Sequence, residues 1–110
     1  PQPTTRAAAP PAPVVVTAAA NGSTIGVRAG QQVVVTLSSG ERWAEPVSGD
    51  DAVLHRLSGS ADAMTGAATA TFSAVAAGTA KVTSSRRCLP EAGQVCAQYV
   101  ALWAVTVVVR

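Results

Sequence analysis

His55 is the only histidine in this chain, and a metal centre or catalytic dyad would need partners for it. No His-x-His pair, no HExxH motif and no third cysteine supplies them. The serines are plentiful, yet none stands in the Gly-x-Ser-x-Gly elbow that presents a nucleophile on a strained turn. Asp50-Asp51 could offer oxygen atoms to calcium, but two acids in a Ser-Gly turn are a typical solvated turn. Glycoside hydrolysis wants two carboxylates held rigidly across a cleft. The six acids here are dispersed along the chain. These residues point away from an enzyme and imply no metal and no cofactor.

The two cysteines carry more. Cys88 and Cys96 bracket Leu-Pro-Glu-Ala-Gly-Gln-Val, which is loop length and too short for a separate element. A zinc site wants four ligands, so a disulfide closing the loop is the better reading. It places the protein in an oxidising compartment, secreted or in the cell envelope. Chain entropy alone gives so short a loop about 2.5 kcal/mol. The bridge either staples a small core or holds the loop in one shape for binding.

Seven arginines and one lysine against six acids leave a net charge of +2, spread without a stripe. Nucleic-acid binders concentrate basic residues on one face, and here only Arg86-Arg87 are adjacent, so nucleic acid is not an expected partner. The longest apolar run, Tyr99 to Val109, falls well short of the roughly 20 residues a spanning helix needs. No membrane insertion is expected, and residues 1 onward show no leader pattern.

Residues 1–13 hold five prolines and read as an extended, flexible linker or tail. The domain is expected over 14–110. Ala68 to Ser84 is the clearest segment. Ala68, Ala70, Phe72 and Ala74 alternate with Thr and Ser, a turn falls at Ala77-Gly78, and Ala80, Val82 and Ser84 resume the alternation. That pattern is two half-buried antiparallel strands. Further strands are expected at Val14–Thr17, around Ile25–Val27, over Gln32–Leu37, at Ala52–Leu57 and over Ala97–Val109. Trp43 is expected to begin another segment that stops near Pro46. Ser58 to Gly66 reads as a connection without structure of its own. Asn21-Gly22-Ser23 fits a glycosylation triplet, though Asn-Gly is first a turn pair. Trp43 and Trp103 sit in or beside alternating pattern and are expected in the core. Seven to nine short strands with no helical periodicity predict an all-β, immunoglobulin-like antiparallel β-sandwich.

The order of these features resembles the chagasin-type inhibitors of papain-like cysteine proteases, and more broadly the bacterial immunoglobulin-like domains. The likeness covers, in spacing, most of Asn21 to Val109. Val27-Arg28-Ala29-Gly30-Gln31-Gln32-Val33 is similar to the family's early strand, turn and strand, and Phe72, Gly78 and Thr79 fit its later strand and corner. Ser38-Ser39-Gly40-Glu41-Arg42-Trp43 occupies the place of the first inhibitory loop, where the family has Asn-Pro-Thr-Thr-Gly and then Trp. Gly40 and Trp43 match and the rest does not. Met64-Thr65-Gly66 falls at the Gly-x-Gly-Gly loop, of which only Gly66 survives. The third loop, Arg-Pro-Trp in the family, corresponds to Arg86-Arg87 and the segment of Cys88, Leu89 and Pro90, with no Trp.

The resemblance implies a sandwich that wedges three loops from one end into a protease cleft. The function expected is a non-catalytic protein-binding module, in its sharpest form an inhibitor of papain-like cysteine proteases. A passive spacer domain of an envelope protein is the alternative that stays open, as does the oligomeric state.

Overall fold

A computed structural model describes residues 12–38, 41–88 and 100–110 of the chain. Its elements are β1 (Val14–Thr17), a 3-10 turn (Ala18–Ala20), β2 (Thr24–Val27), β3 (Gln32–Leu37), β4 (Glu41–Trp43), β5 (Val47–Ser48), β6 (Leu54–Ala61), β7 (Ala68–Ala74), β8 (Gly78–Cys88) and β9 (Val100–Val109). Most of the tail expected over 1–13 lies outside the described residues.

Two sheets face each other. The first runs β1-β3-β7-β6, and the second runs β2-β9-β8-β4 with β5 added alongside β8. The expected immunoglobulin-like sandwich is therefore what the chain adopts, with mixed sheets: β1 runs parallel to β3, and β2 parallel to β9. The parallel pairs arise because the opening strand changes sheets. The 3-10 turn and Asn21-Gly22 end β1, and the chain then crosses to β9. There the Ala104 amide donates to Asn21 Oδ1 at 3.0 Å, and the Gly22 amide donates to the Ala104 carbonyl at 2.8 Å. Gly22 takes a φ of +81°, which a side chain would resist. The Asn-Gly pair is thus a turn that docks on a strand.

Alternation places one apolar row of each strand between the sheets. Across β3 and β7 the inward pairs are Val33 with Phe72, Val35 with Ala70 and Leu37 with Ala68. Across β8 and β9 they are Ala80 with Val107, Val82 with Val105 and Ser84 with Trp103. In several of these rows a large side chain faces a small one, which is how a core of mostly Val and Ala interdigitates without voids. Phe72, Leu37 and Val82 are fully buried. Burying a side chain of this kind contributes roughly 1.5–3 kcal/mol. Ser84 is the one polar member of the described core; its hydroxyl donates to the Ala44 carbonyl at 2.6 Å, so its burial is compensated.

Two expectations need correction. The strand read at Ala52–Leu57 runs instead over Leu54–Ala61, and Ser58 to Ala61 are ladder, not connection. The register with β7 shifts between Arg56 and Ser58, a bulge that breaks the period of two. Ser58, Gly59 and Ser60 stay extended because they pair with β7, with no apolar row to announce it. The segment starting at Trp43 also differs: β4 ends there, and Pro46 is buried between β4 and β5. At the bulge, Arg56 reaches across the open side of the sandwich and pairs with Glu45. That ion pair clips the edge of one sheet to the link between β4 and β5 of the other.

Candidate functional site

The register places three connections at one end. Leu37 of β3 and Ala61 of β6 both pair with Ala68 of β7, so the chain leaves β3 and β6 beside the start of β7. On the other sheet Glu41 pairs with Cys88, and Arg87 pairs with Val100. The strand ends that bracket 38–40, 62–67 and 89–99 therefore converge. Ser39, Gly40, Leu89, Pro90 and Cys96 lie outside the described residues, and so does the expected bridge between Cys88 and Cys96. Cys88 itself is half-buried at the end of β8.

The 62–67 segment is a built turn. Asp62 Oδ1 accepts the amides of Met64 at 2.8 Å and Thr65 at 3.3 Å. The Asp62 amide donates to the Ala67 carbonyl at 2.7 Å, and the Gly66 amide to the Asp62 carbonyl at 2.8 Å. Thr65 Oγ1 accepts from the Ala67 amide at 3.2 Å. Asx and Ser/Thr turns of this kind set a loop shape with few free dihedrals. At its tip Met64 is 89% exposed, an apolar side chain that the described residues leave bare. The sequence reading overlooked Asp62; the signal available was an Asp followed two residues later by a Met-Thr-Gly turn.

Gly66, by contrast, faces inward. It is buried with φ +79°, and a Cβ placed on it would overlap the Glu41 carbonyl. Its own carbonyl accepts the Trp43 amide at 2.9 Å, tying the turn of one sheet to β4 of the other. Trp43 is 5% exposed and Trp103 2%, so both tryptophans are core residues, as expected. The Trp103 indole N–H donates to the Ala18 carbonyl at 3.1 Å.

The two candidate arginines have different surroundings. Arg86 lies opposite Trp43 in the ladder, with its guanidinium 5.9 Å from the ring centroid and Nη1 3.2 Å from Glu41 Oε1. Cation–π attraction of this kind contributes about 0.5–1 kcal/mol where exposed. Arg86 is held as a lid on Trp43. Arg87 points to the other face, exposed, and sits opposite the exposed Arg42. Ser38 and Thr65 are also exposed at this end. Elsewhere, His55 Nδ1 lies 3.1 Å from both oxygens of Asp51 on the surface, far along β6 from these loops. Among the described residues no group of three or more His, Cys, Asp or Glu is placed to hold a metal.

The arrangement defines a class: an immunoglobulin-like sandwich presenting a hydrogen-bonded apolar tip at the end where the strands bracketing 38–40 and 89–99 stop. Among solved structures, the chain is similar to the cysteine protease inhibitor EhICP2 from Entamoeba histolytica, at 13% identity and a TM-score of 0.64 over 90% of this chain and 96% of that one. It is similar also to amebosin, at 18% identity and a TM-score of 0.56 over 88% of this chain and 97% of that one. At these identities the shared property is the fold, and the resemblance drawn from the sequence holds at that level. No family model and no curated protein matches the chain.

Proposed function

We propose that this protein is a non-catalytic inhibitor of papain-like cysteine proteases, acting by wedging the loop end of its sandwich into the substrate cleft. The observation that carries the reading is the turn at 62–67, locked by Asp62 and by the bond from Trp43 to Gly66, with Met64 bare at its tip. A loop already held in its bound shape loses little entropy on docking. Methionine adapts its unbranched side chain to irregular apolar clefts. A fold shared with a cysteine protease inhibitor supports the same reading.

In this reading Met64 and Thr65 enter the cleft, and Ser38 to Gly40 and the segment from Cys88 to Cys96 supply the other two expected contacts. The cysteines would be bridged in an oxidising, secreted or envelope setting, and the bridge would fix the third contact. Arg86 stays on Trp43 and supports β4, while Arg87 remains available to the partner. Blocking needs no covalent step, because a cleft filled by a rigid wedge excludes substrate.

The test is steady-state inhibition against a panel of papain-like proteases, with a Cys88→Ser/Cys96→Ser double variant alongside. Competitive inhibition, weakened in the double variant while the fold persists, is the expected result. No inhibition at micromolar protein would overturn the proposal.

A further inference from the structure

The outer faces of the two sheets differ in charge. On the first sheet, Thr17, Thr36, Thr69 and Ser60 form one row across all four strands, neutral and hydroxyl-bearing. On the second sheet the outward positions include Arg42, Lys81 and Arg87, all exposed. The one acid in the described strands of that sheet, Glu41, shares the inward parity of Trp43 and is engaged by Arg86.

Arg42 and Arg87 are direct cross-strand partners. Such partners hold their Cβ atoms about 5 Å apart, and like charges there destabilise the ladder. Among the described residues no ion pair reaches either guanidinium. Beside them on β9, Val100 pairs with Arg87, and Leu102, paired with Ser85, is 81% exposed. An apolar strip with two guanidiniums that no described residue compensates thus adjoins the loop end. Exposed apolar groups next to arginine are the composition of a protein interface, not of a solvated face.

We propose that this patch is a second contact with the target, receiving an acidic surface segment of the protease that borders its substrate cleft. The inference rests on the inhibitor reading above and adds a chemical class of target to it. No described residue neutralises these charges in the free protein, and carboxylates of the target would do so in the complex. Planar guanidiniums take carboxylates in paired hydrogen bonds. A field of one sign also steers encounter and raises the association rate at low salt.

The experiment compares association rates of wild type and an Arg42→Gln/Arg87→Gln double variant, by stopped flow, with acidic and basic papain-like proteases across salt concentrations. Wild type should associate with acidic members about tenfold faster than the double variant at low salt, the gap closing as salt rises. The basic members should show no such gap. Thermal unfolding guards against a folding defect, since removing the like-charge pair should leave the double variant at least as stable as wild type. Equal rates and equal salt dependence for the two proteins, with wild type still an inhibitor, would overturn the patch and leave the inhibitor reading intact. A wild type that inhibits no member of the panel would overturn both.

Discussion

The carbonyl of Gly66 accepts the amide proton of Trp43 at 2.9 Å, while the space above its Cα is filled by the backbone of Glu41. One residue therefore joins the two sheets at the loop end and sets how far the Met64 tip stands from β4. Close approach and a left-handed φ both require that it carry no side chain. The joint gives this short turn the rigidity that the proposed wedge requires.

Substituting Gly66 with Ala should be far more harmful than the same change at Gly22. Both have positive φ, but nothing lies within 4 Å of a Cβ at Gly22. Conformation alone costs about 1–2 kcal/mol, which is the loss expected for Gly22→Ala. Gly66→Ala adds a backbone overlap and should cost about 3 kcal/mol or more. Urea unfolding of the two variants measures the difference.

The Asp62 carboxylate should matter more for binding than for folding. Asp62→Ala removes the acceptor of the Met64 and Thr65 amides, both exposed, so the stability loss should be about 1 kcal/mol. The freed turn must then be ordered on binding, and inhibition should weaken about tenfold. Asp62→Asn keeps an acceptor oxygen and should retain most of the inhibition. Inhibition constants and unfolding curves on both variants separate the two effects.

Both tryptophans should report a buried environment. Native emission should be blue-shifted and poorly quenched by iodide, and should move to the red only on unfolding. Trp43→Phe should keep inhibition, because the ring faces the core and carries Arg86 on its edge of the sandwich. Trp43→Ala should cost about 3–5 kcal/mol. A binding role for the ring would instead make Trp43→Phe inactive in a stable protein.

The pair Glu45 and Arg56 should be a modest clip. Both side chains are partly solvated, so Arg56→Gln should cost no more than about 1 kcal/mol, less in high salt. Urea midpoints at low and high salt check this. The same change should leave inhibition largely intact, since Arg56 pairs with Glu45 beside Gly59 of β6 and takes no part in the bonds that shape the 62–67 turn.

Much of the scaffold was legible because burial writes itself as alternation. Ala68 to Ala74 and Gly78 to Ser84 show their inward rows directly, and the structure buries Ala68, Ala70, Phe72, Ala74, Ala80, Val82 and Ser84. The end of β6 was not legible, because a bulge at Arg56 and Ser58 interrupts the period and small polar residues give no apolar row. Nor could alternation reveal the parallel pairing of β1 and β2, which depends on where the chain crosses between sheets. In the candidate site, Gly66 stood out as a surviving loop residue, yet its requirement is the approach of Glu41. Arg86 and Arg87 look interchangeable in sequence. Strand parity separates them, turning one onto Trp43 and the other outward beside Arg42.

The most direct measurement is amide chemical-shift mapping of the labelled protein as an unlabelled papain-like protease is added. Binding by the loop end predicts shifts at Ser38, Met64, Thr65 and Cys88, with Gly30 and Ala77 at the opposite pole unmoved. Shifts confined to that opposite pole or to the hydroxyl face of Thr36 and Thr69, or none at all, would contradict the wedge.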